Sequence, residues 1–262
     1  MNFKLNALVA AALLVAAGSA NAAISTSTSG NGELFMVVSD TTAGYSFVGD
    51  LGIAMDSFNA NLGQSFDLTS YSQWSAFYSA IGGTLNNATF AVLAVDSTGT
   101  AAGSDRMWVT SSTAVTAADI GGTKNNKMGA ATNKADTLLG NLNTNTGTLG
   151  GDMNTVANGS AYSSSAETAT YWYATVADQM QNNLPFRTFA DANEAANFGF
   201  MSNSGATSTL TPINYTEAAG QWTVGAGSLN YAVAAVPEAE TYAMMLAGLG
   251  LVGFMVRRRN NA

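Results

Sequence analysis

Apolar and polar positions along this chain change rhythm several times, and each change marks an element. Glu33 to Asp40, ELFMVVSD, is a short, β-branched apolar run closed by turn residues, which is the pattern of a buried strand. Ala43 to Gly52, AGYSFVGDLG, carries Tyr45, Phe47 and Val48 and predicts a second strand, paired with the first as a hairpin. After Ser70 the period lengthens. Tyr71, Trp74, Phe77, Tyr78 and Ile81 share one helical face, Ser70 and Gln73 have capping-box spacing, and Gly82-Gly83 supplies a stop. An aromatic stripe can serve as a sugar platform, but at this spacing it reads first as core. Ala88 to Asp96, ATFAVLAVD, is the clearest central strand, and Asp105 to Ser112, DRMWVTSS, alternates as its hairpin partner.

From about 114 to 160 the composition turns to Asn, Thr, Gly, Ala and Lys, with Ala130 to Leu142 predicted as a helix and NTNTGTLGGDMN as a loop. A second strong helix is predicted over Ser164 to Gln181. There Ser164 and Glu167 have capping-box spacing, Ala169, Trp172, Tyr173, Val176 and Met180 form an apolar stripe, and Pro185 lies just beyond. Short β-like runs (NFGFMS, STLTPINY, GQWTVG and SLNYAVAA) close the body. The expected class is α+β: an antiparallel β-sheet or two-sheet sandwich with two or three packed helices. A body of this size builds an adequate core without disulfides.

The two ends follow a different logic. At the start, Lys4 precedes an apolar stretch from about Ala7 to Ala17, and Ala20-Asn21-Ala22 is an A-x-A site. That layout predicts a helical secretory signal peptide over residues 1–22, cleaved by signal peptidase after Ala22. At the other end, Thr241 to Val256 holds no charge. As a helix it would be roughly 24 Å long, slightly short of a hydrocarbon core but able to span it with flanking help. Pro237 bars helix upstream, and Arg257, Arg258 and Arg259 hold the far end on the cytoplasmic side. The arginine triplet directly after the apolar run favours a transmembrane helix at 241–256 over a core helix. Gly248, Gly250 and Gly253 match GxGxxG, but neither the strand before nor the acidic residue after that a dinucleotide site needs is present.

Composition removes whole classes of chemistry. The chain has no cysteine and no histidine, so disulfide frameworks, thiolate zinc sites and every mechanism that uses a Cys or His nucleophile or base are excluded. Between the two ends stand 5 basic residues (Arg106, Lys124, Lys127, Lys134 and Arg187) against 15 acidic ones. That surface repels phosphate backbones and excludes nucleic acid as a partner. No cofactor motif and no metal-ligand cluster is read from the sequence. A paired-carboxylate glycosidase is the enzyme class that remains open. A calcium loop at Asp96–Asp105 lacks the EF-hand order, so a solvated hairpin loop is the favoured reading there. Trp108, Trp172 and Trp222 are candidate glycan platforms. Trp222, near a Gly-rich turn, is the foremost, although core packing competes for all three.

The C-terminal stretch VPEAETYAMMLAGLGLVGFMVRRRN resembles the PEP-CTERM sorting signal of Gram-negative bacteria: a Pro-Glu motif, an apolar helix and a basic tail, in a chain that also starts with a signal peptide. Pro237 and Glu238 match the motif's first positions, while Ala239 stands where the family usually has a second proline. The resemblance implies processing by an exosortase-like transpeptidase after transient anchoring in the inner membrane. It also implies a role on the cell surface or in the extracellular matrix, in exopolysaccharide, biofilm or floc formation, with exopolysaccharide as a candidate partner. On this reading residues 1–22 are the signal peptide, 23–235 the exported globular domain and 236–262 the sorting signal. A carbohydrate- or calcium-binding adhesin is the alternative beside the carboxylate enzyme.

Overall fold

The computed structural model describes residues 13–14, 23–26, 30–144, 159–172 and 183–233. Eleven strands are formed among them: β1 (Leu13–Leu14), β2 (Glu33–Asp40), β3 (Tyr45–Ala54), β4 (Gln64–Asp67), β5 (Ala88–Ser97), β6 (Asp105–Ser112), β7 (Ser160–Ser164), β8 (Ala190–Asp191), β9 (Ala196–Ser202), β10 (Asn214–Val224) and β11 (Ser228–Val233). Three helices among the described residues accompany them: α1 (Trp74–Ala80), α2 (Ala117–Gly121) and α3 (Asn125–Thr144).

Every residue of β2 after Glu33 is buried, so this strand needs cover on both faces. It obtains that cover at the middle of one continuous sheet, ordered β1-β4-β11-β10-β9-β6-β5-β2-β3-β7, with β8 added beside β5. All pairings are antiparallel except the short contact of β1 with β4. The hairpins expected from the sequence, β2–β3 and β5–β6, are both present, the first turned at Gly44 with φ +76. A left-handed backbone there favours glycine. The two-sheet sandwich is not formed, because the strands follow a single hydrogen-bonded path.

Alternation along the strands sorts the apolar residues into two cores. Phe35, Val37, Leu93, Val95, Met107 and Val109 face one way and meet the stripe of α3 formed by Met128, Ala131, Ala135, Leu138, Leu139 and Leu142. Met36, Val38, Phe47 and Val92 face the other way, where Trp74 and Phe77 of α1 pack on Phe47 with ring centroids 5.0 and 5.8 Å apart. Farther along this second face the sheet curls into a half-barrel. Phe58 fills its hollow, 5.2 to 6.2 Å from the rings of Trp108, Phe198, Trp222 and Tyr231.

Helix boundaries depart from expectation for local reasons. Asp67, not Ser70, provides the first cap: its Oδ1 accepts from the Thr69 amide at 2.9 Å and shapes a separate 3-10 turn, Leu68–Ser70. Tyr71 then returns to an extended backbone, and α1 starts at Trp74 with no side-chain cap from Gln73. The apolar face is as expected, with Tyr71, Trp74, Phe77 and Ile81 buried. α3 begins five residues before the expected Ala130, since the polar Asn125 and Asn126 are drawn into it by tertiary contacts. Ser164 closes β7 instead of opening a helix. The Glu167 carboxylate still accepts from the Ser164 amide at 3.3 Å, but it closes a turn, Ala169 is exposed, and Trp172 is the first residue with helical backbone. The remainder of that expected helix lies outside the described residues.

The expected signal helix and transmembrane helix also lie outside the described residues, save for Leu13 and Leu14, which run beside Gln64 and Ser65 as β1. Among the described residues no helix is long and apolar enough to cross a membrane.

Candidate functional site

The β5–β6 hairpin ends with Ser97 directly opposite Asp105. Asp105 shares its face with Met107 and Val109, so a carboxylate terminates a stripe that is otherwise apolar and points at α3. It is 2% exposed. Its backbone is held by Asn203, whose Oδ1 accepts from the Asp105 amide at 2.9 Å and whose own amide donates to the Asp105 carbonyl. Among the described residues no hydrogen-bond donor reaches the Asp105 carboxylate itself. Burial pushes its pKa up to about 6, with the charges of Asp96 and Asp136 adding in the same direction.

Beneath this carboxylate lies a cavity of about 500 Å³, walled by the β5–β6 loop, the first turns of α3 and the β9–β10 loop. That volume is in the range of small-molecule sites. Its walls are polar: Ser97, Thr100, Asp105, Asn126, Asn133 and Thr207. Gly129 forms the floor, where a Cβ would stand 2.8 Å from Asp105 Oδ2 and 3.7 Å from Thr207 Cβ, so a larger residue there would push the Asp105 carboxylate aside. The Asn126 side-chain oxygen is buried without a hydrogen-bond partner.

Two fully buried asparagines hold the cavity open. Asn203 donates to the carbonyls of Ala101 and Gly205, joining the two loops. Asn125 donates to the hydroxyls of Thr209 and Thr211 at 2.8 and 2.7 Å and accepts from the Ser204 amide at 3.0 Å. The Thr207 amide reaches the Thr100 carbonyl and ties the loops at the rim. Because both loops are pinned through buried amides, the cavity wall is preorganised.

The two aspartates of the expected hairpin loop do not converge. Asp96 faces the opposite side of the sheet, where its Oδ2 accepts from Arg106 Nη2 at 2.9 Å and Nε at 3.1 Å. Arg106 also donates to Asp56 and to the Gly30 carbonyl, both at 2.6 Å. The loop between them is solvated as expected, with Thr98 and Thr100 to Gly103 exposed, while the two flanking aspartates are buried and face opposite ways, which gives calcium no shared site. No group of three His, Cys, Asp or Glu side chains comes together among the described residues.

The glycan platform at Trp222 is also corrected: the ring is 0% exposed, enclosed by Phe58, Phe66, Phe198 and Tyr231, and offers no face to a ligand. Trp172 is equally buried, and the half-buried Trp108 stacks on Phe198 at 5.0 Å. Ala20, Ala22, Pro237, Glu238, Arg257, Arg258 and Arg259 lie outside the described residues. Asn125, Asn126, Gly129 and Asn203 escape sequence reasoning because each sits in an Asn-, Thr- and Gly-rich stretch without periodicity. The inward phase of Asp105 in DRMWV is the one usable signal.

Residues 235–259 match the family model of the PEP-CTERM protein-sorting motif, so the chain carries the signal that its C-terminal stretch resembles. The motif marks an exosortase-sorted extracellular protein, exported and membrane-associated through its C-terminal signal. No curated protein and no solved structure matches the chain.

Proposed function

We propose that this protein is an exosortase substrate whose body, residues 23–235, is delivered to the cell surface or extracellular matrix and contributes to exopolysaccharide-associated biofilm or floc structure. The observation that carries this reading is the sorting motif at residues 235–259. On it, signal peptidase removes residues 1–22, the segment 241–256 spans the inner membrane with Arg257, Arg258 and Arg259 on the cytoplasmic side, and cutting near Pro237 and Glu238 frees the body. The acidic, low-charge body suits a hydrated polymer setting, where like charge limits non-specific aggregation.

The test is to express the full chain in cells with and without their exosortase and to sequence the mature C terminus by mass spectrometry. Loss of residues after the Pro-Glu motif only where exosortase is present supports the sorting reading, and an intact tail on secreted protein overturns it. Deleting the gene and measuring floc or biofilm mass tests the role in the matrix; unchanged mass overturns that part alone.

A further inference from the structure

We propose that the cavity between the β5–β6 loop, α3 and the β9–β10 loop is a saccharide site, in which the Asp105 carboxylate accepts hydrogen bonds from hydroxyl groups of a neutral sugar unit and the Thr100, Thr207 and Ser208 hydroxyls meet the others. One acceptor in its walls has no donor from the protein among the described residues: the carboxylate of Asp105, a residue 2% exposed that lines the cavity. Leaving such a group without donors is costly, and a ligand that brings donors recovers the loss. The occupant must therefore be donor-rich. Anions are excluded by Asp105.

Three classes that could satisfy a carboxylate remain, and the walls separate them. A divalent cation would need several converging carboxylates, yet Asp96 is turned to the other face and Asp136 accepts from Ser97 Oγ at 2.7 Å. A lone ammonium would use Asp105 and leave the rest of the walls idle. A sugar ring uses them all, because Thr100, Thr207 and Ser208 hydroxyls and the Asn133 amide can each donate to or accept from ring hydroxyls. The loops that carry these groups are already fixed by Asn125 and Asn203, so binding orders little that is not ordered beforehand. The binding chemistry stands on the cavity; that the sugar comes from extracellular polysaccharide rests on the function proposed above.

The experiment uses the full chain purified in detergent and screened on an array of neutral hexose and deoxyhexose oligosaccharides, with calcium chloride and methylammonium chloride titrated separately. Native protein is expected to retain at least one oligosaccharide. Asp105→Asn should weaken that binding tenfold or more, and Ser208→Trp, an exposed substitution at the rim that leaves the core untouched, should abolish it. Thermal melts of both variants establish folding, and Arg187→Ala, remote from the cavity, should bind as native protein does. Absence of any neutral saccharide binding, or binding indifferent to both variants, overturns the proposal. So does stabilisation by calcium or methylammonium alone that Asp105→Asn removes. A protein that binds sugar but keeps its tail would refute the sorting reading and leave this one standing; a correctly trimmed protein that binds none would do the reverse.

Discussion

At the scale of single residues, two charged groups have consequences that can be measured. Asp50 on β3 is 4% exposed, and burial pushes its pKa up to about 7, partly offset by the Gly52 amide that donates to it and reinforced by Glu33. The folded form therefore holds this proton more tightly than the unfolded chain does. Stability associated with Asp50 is present at low pH and is lost as pH rises through about 7. Asp50→Asn is expected to be more stable than native protein at pH 8 by roughly 2–4 kcal/mol, with the advantage vanishing near pH 4. Urea titrations at both pH values check this, and equal differences at the two would contradict it. Arg106 shows the opposite dependence on a partner. Asp96 is buried and paired to it, so Arg106→Ala strands a buried carboxylate and should cost about 3–5 kcal/mol. The exposed pair Arg187–Asp191 makes the comparison: Arg187→Ala should cost under about 1 kcal/mol in the same urea titration.

At the scale of elements, period proved more legible than ends. β2 and β6 occupy the residues that alternation and β-branching assign to them, and the apolar face of α1 is the one its aromatic spacing predicts. These patterns are local, so a sequence displays them. The starts of α1 and α3 depend on which polar side chain finds a partner in space: Asp67 caps a turn ahead of α1, and Asn125 is held by Thr209 and Thr211 from 84 and 86 residues away. No local signal encodes that. The same limit hid the cavity, whose walls come from three separated segments, and it made Trp222 look like a platform although strand curl encloses it. Trp222→Ala should cost about 3–5 kcal/mol in urea unfolding, as for any large ring removed from a packed core. If it changes sugar binding while leaving stability unchanged, the enclosed position described for this ring is wrong.

At the scale of the whole molecule, the two cores and the sorting motif divide the labour. The body is one sheet padded on both faces, and its stability owes nothing to cysteine. The tail is read by other proteins. Replacing Arg257, Arg258 and Arg259 with Gln should therefore leave the unfolding midpoint of the body unchanged while reducing membrane retention and C-terminal trimming several-fold. Cell fractionation with mass spectrometry of the C terminus measures both. A shifted midpoint with normal trimming would mean that the tail serves the fold and not the address.

The last strand carries a consequence for release. β11 runs to Val233, which still pairs with Gly220, and Pro237 follows four positions later. Fully extended, that stretch reaches at most about 14 Å. On the processing proposed above, an enzyme seated in the bilayer would meet a wall of sheet almost at the scissile peptide, and the body would ride against the lipid like a float on a short tether. Turnover would then be paced by fraying at Val233, and lengthening the tether with a Gly-Ser insert after Ala234 should quicken shedding.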